Sequence, residues 1–310
     1  MPGSVIVAGA RTPIGKLSGA LASFSAMDLG GFAIKAALER AGVQPDQVDY
    51  VFMGQVLQGG TGQITARQAA VRAGIPMTVP ATTVNKVCLS GLNSIYLADQ
   101  MIQSGDAEIV VAGGMESMTQ APYLLPGARA GYRYGDGTLV DSVAYDGLFC
   151  AFDKAGNITA GNASQLSDGG SAVIVTTKAK AEQLGVTPLG EIVGYGQVAG
   201  PDPSLLTQPS RAIKAALEKV GKAVSDVDLF ELNEAFAAVG LAAMADLGVK
   251  DDVVNVNGGA IALGHPVGMS GNRVALTLML ELRRRGGGLG AAALCGGGGQ
   301  GDAILLSVAG

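Results

Sequence analysis

Short runs of apolar residues alternate along the chain with longer segments in which apolar positions recur every three or four residues. The short runs predict buried β-strands, at residues 5–8, 51–53, 109–112, 173–176 and 303–306. The longer pattern predicts helices at 27–41 and 272–285. The second helix is apolar over much of its circumference, so we expect it between two layers. This alternation of strands and helices predicts an α/β architecture.

One helix–glycine–strand pattern occurs twice in the chain. Residues 37–42 (ALERAG) are echoed at 216–221 (ALEKVG), and residues 48–52 (VDYVF) are echoed at 227–231 (VDLFE). So simple a helical match also arises by chance, but the constant offset of 179 into the following strand favours duplication. A chain of two similar α/β halves tends to place its active site where the halves meet.

Composition narrows the class of function. The 310 residues include 48 glycines, three cysteines and one histidine, and the net charge is −5. A single histidine excludes metal sites that need two histidine ligands from one chain, and no CxxC pair occurs, so we expect no metal. The odd, low cysteine count favours a reducing cytoplasm over a disulfide scaffold. We expect no nucleic acid and no membrane as partners, because the sequence has neither a basic cluster nor an apolar run of ~18 residues.

Cys88 lies in the motif NKVCLSG at residues 85–91, between a β-branched segment and a helical pattern. This places it at a strand-to-helix turn. Free amides and the helix dipole at such a turn stabilise a thiolate and an oxyanion. An inert buried cysteine is the alternative of equal weight, because that is the usual role of a lone cysteine.

His265 and Cys295 also lie in glycine-rich turns. His265 stands in GGAIALGHPVGMSG at 258–271, and this rigid setting favours a catalytic over a structural imidazole. Cys295 opens CGGGGQGDA at 295–303, whose amides can form an oxyanion nest. A phosphate-binding loop is the weaker alternative, because no Gly-Lys-Ser/Thr follows and a strand follows instead of a helix.

Asn233 opens the motif NEAF at 233–236, directly after the second strand of the repeat. It would either cap the next helix, which is the commoner use of asparagine there, or hold a water or an oxygen in the site. Two cysteines and one histidine in three glycine-rich turns indicate nucleophilic acyl chemistry. In such chemistry one thiolate takes the acyl group and the second cysteine moves a proton.

The four motifs, in this order, resemble those of the thiolase family, particularly its acetyl-CoA C-acetyltransferases, and the likeness covers nearly the whole chain. The resemblance implies an α/β thiolase fold with two duplicated βαβαβαββ halves in a five-layer α/β/α/β/α arrangement. We therefore expect an N-terminal half at 1–187, with a truncated loop-domain insert at 119–164, and a C-terminal half at 188–310. The family also implies fatty acid metabolism and a homodimer or homotetramer, the tetramer forming through residues 119–146.

The resemblance further implies a reaction. The enzyme would convert two acetyl-CoA into acetoacetyl-CoA and CoA, and catalyse the reverse, by ping-pong acylation of a cysteine. Coenzyme A thioesters would be substrates, and no cofactor is expected. Cys88 would become acylated, His265 would accept its proton, and Cys295 would remove or return the Cα proton of the acetyl unit.

Other roles carried by the resemblance concern oxygen atoms and substrate contacts. The backbone amides of Cys88 and Gly297 would form one oxyanion hole. A water held by Asn233 would stabilise the enolate oxygen together with the imidazole. Ser164 would contact the pantetheine arm, and Phe236 would line the substrate pocket.

The chain departs from the family by lacking a segment between residues 146–149 and 158–164. By resemblance, that segment is a largely helical domain that binds the nucleotide end of coenzyme A. Two interpretations compete, and we favour removal of the segment from a longer protein over a natural deletion. A natural deletion would keep the Cys–His–Cys centre and remove much of the grip on coenzyme A. The alternative function is therefore a catalytically impaired thiolase-like scaffold.

A ketoacyl carrier-protein synthase with the same fold is a further alternative. Such enzymes use a cysteine with two histidines, and the chain has only one histidine. The second cysteine, Cys295, matches the thiolase pattern instead.

Overall fold

The structure, a computed structural model, describes residues 4–152 and 162–310, and its strands and helices lie within these two ranges. The strands are β1 (Val5–Arg11), β2 (Gly15–Lys16), β3 (Tyr50–Gly54), β4 (Ala81–Val84), β5 (Ile109–Ser117), β6 (Tyr123–Leu124), β7 (Val140–Asp141), β8 (Ser167–Thr176), β9 (Gly190–Ala199), β10 (Leu229–Leu232), β11 (Gly288–Gly296) and β12 (Gln300–Val308). The helices are α1 (Ala26–Ala41), α2 (Thr65–Arg72), α3 (Ser90–Ser104), α4 (Lys178–Leu184), α5 (Gln208–Lys219), α6 (Ala237–Leu247), α7 (Ala260–Leu263) and α8 (Ser270–Arg284). The strands and helices predicted from the apolar pattern are confirmed.

The elements form two similar halves. The first half runs β1-α1-β3-α2-β4-α3-β5-β8, and its strands lie in the order β4-β3-β5-β8-β1. The second half begins with β9 and ends with β12, in the strand order β10-β11-β12-β9. Its counterpart of β4 is reduced, within the described residues, to an isolated bridge between Phe230 and Val254. The two repeated segments of the sequence occupy equivalent places, at the end of α1 with β3 and at the end of α5 with β10.

The halves join edge to edge and then stack. Val5 pairs with Glu191 and Ile6 pairs with Gly190, which connects β1 to β9 and unites the two sets of strands in one ten-stranded sheet of the described chain. The strands of each half present one face to a shared middle layer of helices. The two parts of the single sheet therefore cover this layer from opposite sides.

Alternation of side chains along the strands sorts the helices into layers. Val111 on β5 packs with α1 and α2, whereas its neighbour Val110 packs with α3 and α8. On β11, Ala293 packs with α5 and α6, and Ala292 packs with α3 and α8. Because successive side chains of a strand point to opposite faces, both halves are covered on both sides. The layers are therefore α/β/α/β/α, as expected, and α8 lies between the strands of the first half and those of the second.

The two helices of the middle layer, α3 and α8, cross closely because each begins with a Ser-Gly pair. A Cβ atom on Gly91 would lie 2.9 Å from the backbone nitrogen of Asn272, and one on Gly271 would overlap the backbone of Leu92. Larger side chains would separate the helices. The crossing brings the turn before α3 and the turn before α8 to the same end of the middle layer. Within residues 4–152 and 162–310, we find no helix that is both long and apolar enough to cross a membrane.

Candidate active site

The turns singled out in the sequence meet at this end of the middle layer. The chemically important side chains stand before α3, before α8, near the end of β11 and directly after β10: Cys88, His265, Cys295 and Asn233. A Cβ atom placed on Gly297 would lie 3.5 Å from the side chain of Val87, so the turn after the second cysteine abuts the residue before the first. Both halves of the chain thus contribute to one centre.

The turn that carries Cys88 is held by hydrogen bonds and contains a strained residue. Val87 has a φ of 50°, a left-handed conformation that a β-branched residue rarely adopts. The hydroxyl of Ser90 accepts the backbone N–H of Lys86 at 2.8 Å and donates to the carbonyl of Val87 at 2.6 Å. Asn85 Oδ1 accepts the N–H of Val87 at 3.1 Å. Local bonds therefore hold the strained turn and present Cys88, which is half-buried.

Burial raises the pKa of both cysteine thiols. The pKa of Cys88 rises to about 12, because burial disfavours the thiolate and the negative charge of Glu116 acts in the same direction. Burial, followed by the neighbouring Cys88, raises the pKa of Cys295 well above its ordinary value. Both cysteines therefore rest as thiols, and stabilisation of a Cys88 thiolate by the helix N-terminus stays a prediction.

The imidazole of His265 is oriented through both of its nitrogens. The Ser270 hydroxyl lies 2.6 Å from Nδ1 and donates to the carbonyl of Pro266 at 3.0 Å. One hydroxyl has one proton, so we assign the Nδ1–H as the donor to Ser270, which leaves a lone pair on Nε2. The side-chain nitrogen of Asn233 lies 3.3 Å from this Nε2. Burial, helped by the charge of Arg273, lowers the pKa of His265 to about 3, so the ring is neutral.

Asn233 lies outside the cap of the helix that follows it. Helix α6 begins at Ala237 with Phe236 as its N-cap residue, three positions after Asn233. Asn233 is fully buried, and its Oδ1 has no hydrogen-bond partner among the described residues. A buried unpaired amide oxygen is costly. Of the two interpretations of Asn233, the geometry therefore favours a group that holds a water or a substrate atom.

Of the two expected substrate-contacting residues, Phe236 is the last residue of the NEAF motif and Ser164 lies beside it. The N–H of Ser164 donates to the carbonyl of Ala235 at 3.0 Å, and Ala163 forms an antiparallel bridge with Phe236. Phe236 is partly buried and packs against the small apolar cluster that contains Cys295. The segment from residue 162 onward is therefore fixed next to the second cysteine.

Glu116 is a buried residue of the site that the sequence analysis missed. Its carboxylate accepts the backbone N–H groups of Val56, Leu57 and Gly268 at 3.0, 3.1 and 2.9 Å, which ties the loop after β3 to the loop of the histidine. Burial raises the pKa of Glu116 to about 7 in spite of these bonds. A glutamate at the end of the otherwise apolar strand β5 was the available signal.

Glu234, the second residue of the NEAF motif, holds the start of the loop that carries His265. Its Oε1 accepts the Asn255 side chain at 2.8 Å, and its Oε2 accepts the N–H of Ile261 at 3.1 Å. A Cβ atom on Gly259 would overlap the Glu234 carboxylate, so a larger residue there would displace this carboxylate from its hydrogen bonds. Within this motif, Glu234 thus supports the loop that carries His265, and Asn233 faces the imidazole.

Comparison with known protein families divides the chain into two matched regions. The family described as "Thiolase, N-terminal domain" matches residues 4–154 and again residues 148–179. The family described as "Thiolase, C-terminal domain" matches residues 186–308. The two overlapping matches to one domain indicate a discontinuity near residues 148–154, where the sequence departs from the pattern.

Curated relatives align over almost the whole chain. The protein named "Probable acetyl-CoA acetyltransferase" from Mycolicibacterium smegmatis is 48% identical, with 97% of this chain and 100% of the relative covered. Proteins named "Acetyl-CoA acetyltransferase" from Cupriavidus necator and Escherichia coli are 43% and 40% identical, covering 97% and 99% of this chain and 98% and 99% of the relatives. The first alignment extends over 386 positions, at least 76 more than the chain has residues, so the relative carries an internal segment that this chain lacks.

Proposed function

The chain belongs to the thiolase family, and from this premise we propose that it joins two acetyl-CoA molecules into acetoacetyl-CoA and CoA, and cleaves acetoacetyl-CoA in reverse. It is an acyltransferase, and the relatives named as acetyl-CoA acetyltransferases support this choice of substrates. The observation that carries the proposal is the meeting of two cysteines with a neutral, oriented imidazole in one centre built from both halves.

The first step acylates Cys88. Its thiol rests protonated, because its pKa lies near 12, and His265 is a weak base, because its pKa lies near 3. Proton transfer to Nε2 therefore accompanies formation of the sulfur–carbon bond. The amides of Cys88 and Gly297 hold the tetrahedral oxyanion. The bond from the acyl carbon to the sulfur of CoA then breaks, and the proton leaves on CoA.

The second step forms the carbon–carbon bond. The Cys295 thiol gives its proton to Nε2 of His265, and the raised pKa of this thiol makes the resulting thiolate a strong base, which removes a proton from Cα of a second acetyl-CoA. The Nε2–H of the protonated His265 and a water on Asn233 stabilise the enolate oxygen. The enolate carbon attacks the acyl carbon on Cys88, the thioester bond to Cys88 breaks, and the Cys88 sulfur takes the proton from His265, while Cys295 keeps the proton from Cα.

Substrate contacts and assembly complete the proposal. Ser164 contacts the pantetheine arm and Phe236 lines the pocket. The packing of Phe236 beside Cys295 and the bond of the Ser164 N–H to Ala235 in the same cluster support these roles. No cofactor takes part, so treatment with a chelator leaves the rate unchanged. Exposed tyrosines at 123, 132 and 134 support a homodimer or homotetramer, which light scattering would measure. The free thiols at 88, 150 and 295 support a cytoplasmic location. The proposed acetyl-CoA substrates favour a place in fatty acid metabolism.

The acyl-enzyme provides the decisive experiment. Incubation with labelled acetyl-CoA, followed by proteolysis and mass spectrometry, places the acetyl group on Cys88. Cys88→Ala abolishes labelling, whereas Cys295→Ala keeps labelling and blocks exchange of the acetyl Cα protons. Cys150→Ala is the matched control, because this cysteine lies in no motif, and it leaves both signals unchanged. An acetyl group on another residue, or on none, contradicts the proposal.

The alternative of a catalytically impaired scaffold finds no support. Relatives at 40–48% identity over nearly the full length carry acetyltransferase names. The chain also retains the residues on which the two proposed steps depend: Cys88, Asn233, His265 and Cys295.

A further inference from the structure

A buried ion pair connects the two cysteine-bearing turns. The Lys86 ammonium lies 2.9 and 2.8 Å from the two carboxylate oxygens of Asp302. The Asp302 side chain is 0% exposed, and the Lys86 side chain is 23% exposed. Lys86 stands two residues before Cys88, and Asp302 pairs across the β11–β12 hairpin with Leu294, the residue before Cys295. The pair therefore joins, across 216 positions of sequence, the two segments that hold the reactive sulfurs.

Stability does not account for this pair. Burial raises the pKa of Asp302 in spite of Lys86, which means that desolvation outweighs the attraction of the ammonium. Buried ion pairs commonly add little to the free energy of unfolding, and apolar residues of similar volume replace them without loss. What an ion pair supplies, and an apolar contact does not, is a directed bond of fixed length.

Both ends of the pair are rigidly connected to the cysteines. The N–H of Lys86 is bound by the Ser90 hydroxyl at 2.8 Å, in the turn that presents Cys88. On the other side, Asp302 is part of a continuous antiparallel ladder from Gly288 to Gly296. A Cβ atom on Gly296 would lie 2.6 Å from Leu89, so the two turns touch with little free space between them. A shift of either end of the pair therefore changes the separation of the sulfurs.

We propose that Lys86 and Asp302 are positioning residues that set the separation of Cys88 and Cys295. The inference rests on the proposed function and adds a selective consequence to it. Acylation needs Cys88 and His265, and it tolerates a change in this separation. Removal of the Cα proton from acetyl-CoA beside the acyl-enzyme needs both sulfurs at a defined distance from each other. This step does not tolerate a change in their separation.

The test measures the two half-reactions separately in Asp302→Asn, which keeps the shape of the side chain and removes its charge. We expect the exchange of acetyl Cα protons to fall about 10²-fold, because a displacement of about 1 Å has this effect on an oriented reaction, while the acylation rate changes less than about threefold. Lys86→Arg, which keeps the charge and the bond, retains most of the exchange. Asp246→Asn is the matched control, since Asp246 pairs with Lys214 at 2.9 Å between α5 and α6 on the surface.

The outcomes separate the inference from the proposed function. An equal fall in both rates, or no fall in either, overturns the positioning role. If wild-type protein is never acylated by acetyl-CoA, the proposed function fails instead. The double variant Lys86→Met, Asp302→Leu guards against loss of folding, because no charge is left unpaired. We expect it to melt near the wild-type temperature and still lose exchange selectively, and recovery of exchange in it would also overturn the role.

Discussion

The turn before α3 and the turn before α8 occupy equivalent places in the two halves and use the same device for different ends. Each helix begins with a fully buried serine followed by glycine, Ser90 and Ser270. Each hydroxyl accepts one hydrogen bond and donates another to a backbone carbonyl of its own turn. In the first half the bond that it accepts comes from the backbone, and in the second half it comes from the imidazole of His265.

This contrast shows how one duplicated framework supports two kinds of reactive group. A cysteine side chain has one reactive atom, its sulfur. Fixing the backbone of its turn is therefore enough to orient this sulfur. An imidazole has two nitrogens, and a base must expose the lone pair of one of them. The serine of the second half therefore acts on the side chain itself and holds the proton on Nδ1.

The largest expected effect comes from removing the base that the second turn carries. His265→Asn removes the imidazole and keeps a polar side chain of similar reach. We expect the rate of acetoacetyl-CoA cleavage to fall about 10³-fold, in the range typical of a lost general base. Circular dichroism checks that the fold is retained. A fall of less than about tenfold would show that the second turn does not carry the base.

The pH dependence of stability tests whether His265 is buried as a neutral ring. Its pKa is depressed from 6.5 to about 3 in the folded protein, so between these values the unfolded chain binds a proton that the folded protein excludes. The free energy of unfolding therefore decreases as the pH falls through this window, by an amount on the order of a few kcal/mol, and the contribution is constant above it. Urea unfolding of wild type and His265→Asn at pH 4 and 7 measures the difference, in which the raised pKa of Glu116 cancels. Parallel curves would contradict the burial of a neutral ring.

The two serines test the contrast directly. Ser270→Ala removes the acceptor of the Nδ1–H, so both tautomers become accessible, and we expect kcat to fall about 30-fold. Ser90→Ala loses bonds of the backbone, and we expect the free energy of unfolding to fall by about 1–3 kcal/mol while kcat changes less than about tenfold. Steady-state kinetics and thermal melting of both variants make the test. Identical profiles for the two variants would show that the serines do not differ in role.

The smallest expected effect concerns the strain in the first turn. Val87→Gly relieves the φ of 50° and adds freedom to the unfolded chain, and these opposing terms leave the free energy of unfolding within about 1 kcal/mol of wild type. We expect kcat to fall severalfold, because the side chain that abuts Gly297 is lost and the turn of Cys88 loosens. Unchanged kcat would show that the strained valine does not help to aim the sulfur.

Much of the fold follows from patterns along the chain. Strands β5 and β8 are buried on both faces, and each therefore contains a continuous apolar run, at residues 109–112 and 172–175. The repeat with an offset of 179 marked β3 and β10, which hold equivalent places in the two halves. The domain boundaries at 1–187 and 188–310 and the catalytic roles of the site residues stay predictions.

Local sequence was sufficient for the elements, the glycine-rich turns and the family, because these depend on residues close together along the chain. Packing in three dimensions determined that Asn233 faces His265 rather than capping α6, that Ser270 selects the tautomer, and that Lys86 binds Asp302. It also determined the burial that raises the pKa of the Cys88 thiol. The physical reason is the same in each case: desolvation and hydrogen bonding depend on which atoms are near in space, and these partners are 5, 32 and 216 positions apart along the chain.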